Sequence, residues 1–149
     1  MVLLGVLVMN GAGQSSAASN EVLENGSLRI IFNPGTGLFD IHSVAGSMID
    51  LNEVGPSVQV DGHELAPGDA KNIDVRRRPF SDEIGSGQKL VIRYAFIGAL
   101  SELRYEIGVF KDKPWLTITA YLPQGSYRLG DVDLIHGKAR VTQAFRSKL

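Results

Sequence analysis

The chain has 149 residues, enough for about one domain, and a domain of that size buries roughly 68–70% of its unfolded surface. Fifteen Lys plus Arg against sixteen Asp plus Glu leave a formal net charge of −1, so no global field draws in nucleic acid or an anionic membrane, and no nucleic-acid partner is expected. With no cysteine in the sequence, disulfides, zinc–thiolate sites and cysteine nucleophiles are excluded together.

Residues 1–9 (MVLLGVLVM) are an unbroken apolar run, and residues 10–20 (NGAGQSSAASN) are small and polar, with Ser16-Ala17-Ala18 in the small-x-small form of a cleavage site. The order is that of a secretory signal peptide without its basic beginning, since no Lys or Arg precedes Arg29. Export to the periplasm or the extracellular space is the expectation. Stable membrane insertion is not, because a span needs about 20 apolar residues. The terminal Ser147-Lys148-Leu149 matches a peroxisomal address, but that destination conflicts with a signal peptide, and the match is taken as accidental.

Residues 21–149 are expected to form one β-sandwich domain, whole or part. An Asn25-Gly26 turn precedes a strand at 27–32, whose Leu28, Ile30 and Phe32 share a face. The segment Asn33-Pro34-Gly35-Thr36-Gly37 turns the chain into a partner strand at 38–43, with Phe39 and Ile41 on one side. Shorter strands are predicted at 47–51, 57–60 and 72–77, separated by Gly55-Pro56, Asp61-Gly62 and Pro67-Gly68-Asp69. Three long strands follow at 89–97, 103–111 and 115–122, joined by tight turns into a meander; in the middle one Leu103, Tyr105, Ile107 and Val109 alternate with Arg104, Glu106, Gly108 and Phe110. Such a ribbon has one buried and one solvated face. No twelve-residue stretch carries a capped 3.6-residue period. The expected fold is therefore all-β, an antiparallel β-sandwich of roughly eight to ten strands with little or no helix.

Two segments resemble a known family. Leu23-Glu24-Asn25-Gly26-Ser27 through Asn33-Pro34-Gly35-Thr36-Gly37-Leu38-Phe39 looks like the opening of the N-terminal β-supersandwich, or galactose-mutarotase-like, domain of large carbohydrate-active enzymes. Tyr105-Glu106-Ile107-Gly108-Val109-Phe110-Lys111-Asp112-Lys113-Pro114-Trp115-Leu116 is similar to a later hairpin of the same domains, nearest to family 36 α-galactosidases and raffinose synthases. The likeness covers roughly residues 21–135 and implies a supersandwich-like fold. Those domains run to well over two hundred residues, so this chain would hold part of one. It lacks the His- and Glu-containing strand motifs of stand-alone mutarotases, and no catalytic residue is carried over.

Candidate chemistry is sparse. His42, His63 and His136 are isolated in sequence and show no metal-ligand spacing, so no metal or other cofactor is expected. Asp131 and Asp133 would share a strand face and read as solvated edge charges. Asp82-Glu83 and Glu102 with Glu106 are paired carboxylates, yet acid–base work needs a defined separation across a sugar. Arg76-Arg77-Arg78 is the only dense basic patch; it either guards an edge strand or meets an anionic group. Sugars stack their apolar faces on exposed rings, which makes Trp115, Tyr121 and Tyr127 the ligand candidates. Trp115, Thr117, Thr119 and Tyr121 have one parity and form an aromatic and hydroxyl stripe, opposite Leu116, Ile118, Ala120 and Leu122; burial of this stripe under a second sheet is expected ahead of exposure.

The expected function is a non-catalytic carbohydrate-associated domain, a sugar binder or scaffold of a glycoside hydrolase, with a carbohydrate as partner and self-association through edge strands as a further option. The alternatives are a small mutarotase-like enzyme using His136 or His63 with a nearby carboxylate, and a structural or cell-surface sandwich without a sugar role.

Overall fold

A computed structural model describes residues 19–44 and 49–141. The leader at 1–18, the start of the strand predicted at 47–51 and the terminal Ser147-Lys148-Leu149 lie outside the described residues. Two antiparallel sheets face each other. In the first, β1 (Glu21–Glu24), β2 (Leu28–Asn33), β3 (Leu38–Ser43), β4 (Ile49–Val60) and β10 (Leu129–Val141) lie in that order, with the short β5 (His63–Leu65) also paired to β4. The second is a plain meander of β6 (Asn72–Ser81), β7 (Ser86–Ala95), β8 (Glu102–Phe110) and β9 (Leu116–Tyr121). The only helical element among the described residues is a single 3-10 turn, Pro67–Asp69. None of their helices is long and apolar enough to cross a membrane.

Alternation decides what is buried. Ile30, Phe32, Phe39 and Ile41 of the first sheet meet Leu90, Ile92, Leu103, Tyr105 and Ile107 of the second, all nearly without solvent contact. Each such side chain contributes about 1.5–3 kcal/mol by leaving water. An aromatic contact bridges the layers, the tilted pair Phe39 and Tyr105 at 5.5 Å between ring centres, and Phe32 meets Phe39 at 5.0 Å within the first sheet.

Polar ties then fix one sheet over the other. Tyr94 donates its hydroxyl to the Gly37 carbonyl at 2.9 Å, and Tyr105 donates to the Leu134 carbonyl at 2.7 Å. Gly37 sits at φ +72°, and a Cβ there would lie 2.7 Å from Ile73 and 2.9 Å from the Tyr94 ring, so the second glycine of the Pro-Gly turn is required by conformation and by space. A third tie is Asn25. Its Nδ2 donates to the carbonyls of Phe110 at 2.6 Å and Lys113 at 2.9 Å, while its Oδ1 accepts the N–H groups of Ser27 and Leu28, both at 2.8 Å. One amide thus shapes the β1–β2 turn and holds it on the β8–β9 hairpin. The two segments that carry the family resemblance meet at this side chain.

Several boundaries differ from the sequence reading. The strands predicted at 57–60 and, from residue 49 onward, at 47–51 belong to one strand, β4, which survives Gly55-Pro56 because it is bulged. Glu53 takes φ +51° there, with its N–H held by the Asp40 carboxylate at 2.9 Å. β6 runs on past residue 77 through Pro79, which an edge strand tolerates. The sequence reading has no counterpart for β1 or β5, which are four and three residues long, and of β10 it has only the strand start around Asp131 and Asp133, because register shifts erase any simple alternation beyond it.

Two outcomes are expected. Asn25→Ala removes four hydrogen bonds, at a net of about 1 kcal/mol each or less, and should cost about 2–4 kcal/mol, read as a lower urea midpoint at unchanged slope. Burial, with the neighbouring Tyr105 adding to it, holds the Tyr94 phenol well above its ordinary value of about 10. Above that pH the unfolded chain therefore binds fewer protons than the folded one. Stability from this group is complete below about pH 10 and falls as pH rises further. In urea melts at about pH 8 and pH 11, Tyr94→Phe should lower stability at the first by about 1–3 kcal/mol and show a smaller alkaline drop than the parent.

Candidate functional site: the outer face of the four-stranded sheet

Registers across β6, β7, β8 and β9 define the surface turned away from the core. Tyr121 pairs with Arg104, Thr119 with Glu106 and Thr117 with Gly108, while Leu116, Ile118 and Ala120 pack against the core. The parity continues to Trp115, just before β9. Contrary to the expected burial, no layer among the described residues covers this stripe: Trp115 is 54% and Tyr121 43% exposed. The reason is topological, since the second layer of the sandwich sits on the Ile118 side and the meander offers nothing to cover the other. Six residues of extended chain put the two rings about 20 Å apart along the strand.

Cations stand over both rings. The Arg104 guanidinium lies 3.9 Å from the Tyr121 ring centre, and the Lys113 ammonium 5.3 Å from that of Trp115. At the centre of the face Glu106 lies 2.6 Å from Lys89 Nζ and 3.4 Å from Arg104 Nε, the first with hydrogen-bond geometry and the second as charge contact only. Glu106 is thereby engaged, and it does not form an acid–base pair with Glu102. Asp82 is likewise structural: its carboxylate accepts the N–H groups of Ile84 and Gly85 and closes the β6–β7 turn.

Tyr127 does not join the stripe. It sits in the β9–β10 connection, half-buried against the core, with its hydroxyl on the Pro123 carbonyl. The arginine run divides by parity. Arg76 and Arg78 face outward, whereas Arg77 reaches around the edge of the sandwich to the Val22 carbonyl at 2.6 Å and to Glu21 at 3.2 Å, joining β6 to β1.

Two of the concavities among the described residues bear on the candidate residues. One, of about 490 Å³, is at the Asn25 end, between Phe80, Phe110, Gln88 and Lys111; Phe80 and Phe110 meet edge to face there at 5.1 Å. The other, of about 150 Å³, is on the six-stranded sheet and gathers Ser57, Glu64, Asp131, Asp133 and His136. Asp131 and Asp133 do share a surface, and His136 Nδ1 is 3.6 Å from Asp133. His42 is instead paired with Asp50 at 3.3 Å, and His63 is exposed on β5. Among the described residues no group of three or more His, Asp or Glu is arranged to hold a metal ion.

The sequence reading missed the partners that make the stripe a surface, Lys89, Arg93, Arg104 and Glu106. Each is legible as a strand residue, but only cross-strand register shows which lies beside which. Comparison with family models, curated proteins and solved structures gave no match for this chain.

Proposed function

We propose that this protein is a non-catalytic carbohydrate-binding β-sandwich, secreted and related to the N-terminal domains of glycoside hydrolases, that takes a glycan chain along the outer face of the four-stranded sheet. The observation that carries this reading is the outward line Trp115, Thr117, Thr119, Tyr121, in which Thr117 is half-buried and the other three are exposed. Two rings separated by two hydroxyl-bearing residues offer apolar stacking at each end and hydrogen bonding between, over a length suited to an oligosaccharide. The cations over the rings hold them in place and add donors for ring oxygens and hydroxyls.

A catalytic alternative has one observation in its favour, the grouping of His136 with Asp133 and Glu64 in the smaller concavity, which resembles the histidine and carboxylate needed for proton transfer in sugar mutarotation.

A glycan screen followed by calorimetry distinguishes these readings. Trp115→Ala and Tyr121→Ala alter exposed side chains, so each should change stability by less than about 1 kcal/mol and weaken binding about 5- to 10-fold, the equivalent of about 1–1.4 kcal/mol. Binding unaffected by both changes would rule out the stripe. Aldose mutarotation lost in His136→Asn would favour the enzyme, and silence in every assay would leave a structural sandwich.

A further inference from the structure

The same face carries an unusual charge pattern. Arg76 and Arg78 of β6, Lys89 and Arg93 of β7 and Arg104 of β8 all occupy outward positions, against three carboxylates there, Asp74, Glu102 and Glu106. This surplus belongs to a chain whose net charge is −1, so positive charge is concentrated on one surface. Local pairs account for part of it: Asp74 holds Arg76 at 3.2 Å, and Glu106 holds Lys89 and Arg104. Arg78 and Arg93 have no ion-pair partner among the described residues.

Their neighbours make this costly. Arg78 stands directly across from Lys89, and Arg93 stands between Arg104 on one side and Asp74, already paired with Arg76, on the other. Like charges in register on one face of a sheet oppose folding. An anion laid across the face would remove that repulsion and turn both pairs into binding contacts, with Arg presenting a fork that matches a carboxylate or sulfate.

We infer that the ligand of this face is an anionic glycan, a polysaccharide bearing carboxylate or sulfate groups, whose charges lie on the Arg78–Lys89 and Arg93–Arg104 pairs while its sugar rings lie along the Trp115–Tyr121 stripe. This rests on the carbohydrate reading above and adds the class of sugar. A glycan is favoured over a nucleic acid because the chain lacks the overall positive charge that supports binding to a phosphate backbone.

The test uses matched polymers on the full chain: polygalacturonate against its fully methyl-esterified form, sulfated dextran against dextran, with a single-stranded oligonucleotide and anionic phospholipid vesicles as controls. Tighter binding of at least one charged polymer, about 10-fold or more over its neutral counterpart at low salt and declining as salt rises, is the expected result. The polymer pair that shows it identifies carboxylate or sulfate as the group. In the Arg78→Glu/Arg93→Glu variant the ratio of charged to neutral affinity should fall to near one. Its melting temperature should stay within a few degrees of the parent's, because Arg78→Glu relieves the pair with Lys89 while Arg93→Glu exchanges a like-charge pair with Arg104 for one with Asp74; this separates lost binding from lost folding. Equal affinity for charged and neutral polymers would overturn the inference and leave the carbohydrate reading standing. Binding to no glycan would overturn both, and equally tight binding of the oligonucleotide or vesicles would show a general polyanion surface and overturn the assignment to a glycan.

Discussion

The side-chain amide of Asn25 joins the two halves of this molecule. Hydrophobic burial explains why two sheets come together, but burial has no direction and would tolerate sliding of one layer over the other. Asn25 removes that freedom at one end of the sandwich: two donated bonds hold the β8–β9 hairpin, and two accepted bonds shape its own turn. Tyr94 on Gly37 and Tyr105 on Leu134 act at other points of the interface, and Arg77 joins the two edges β1 and β6. An amide is the suitable group at position 25, since it needs donors on one side and an acceptor on the other; a carboxylate would set negative charge against two carbonyl oxygens.

These ties matter for the outer face because they bear on the hairpin that carries it. The Phe110 and Lys113 carbonyls bound by Asn25 flank the turn from which Trp115 and β9 emerge. Lys113, over the Trp115 ring, is itself one of the residues held. The inner side of β9 packs on the core through Ile118 and Ala120, which leaves Thr117, Thr119 and Tyr121 no choice of side. Rigidity in the interior thus becomes a fixed row of rings and hydroxyls outside. Around that row the charges follow the rules of a sheet surface. Glu106 relieves two cations, Arg78 is left across from Lys89, and Arg93 stands between Arg104 and Asp74.

Much of the fold was legible in the sequence because its strongest signals are local. The two-residue period of 103–110, the Asn25-Gly26 and Asp61-Gly62 turns and the glycine-rich segment at 33–37 each specify their own backbone, and the meander follows from short connections. What was not legible depends on distant partners. β4 looked like two strands, since a bulge with Gly55-Pro56 breaks the pattern in sequence while the hydrogen-bonded ladder with β3 and β10 continues in space. Only the start of β10, around Asp131 and Asp133, was legible; its irregular register hid the rest. For the candidate site, parity correctly placed Trp115, Thr117, Thr119 and Tyr121 on one side, but whether that side faces water depends on where the other sheet lies. Tyr127 seemed equivalent by residue type and is instead folded onto its own loop. The basic neighbours of the stripe come from three strands and meet only through register.

The central claim is that ligand binding takes place on the outer face of the β6–β9 meander and nowhere else on the described surface. Titrating an isotope-labelled sample with an oligosaccharide found in the glycan screen, and mapping backbone amide shifts, tests it most directly. The account predicts shifts confined to outward positions of the meander, centred on Trp115, Thr119, Tyr121, Glu106 and Arg93. Shifts centred on the Asn25 cleft or on the concavity around His136, with the meander face unmoved, would contradict it.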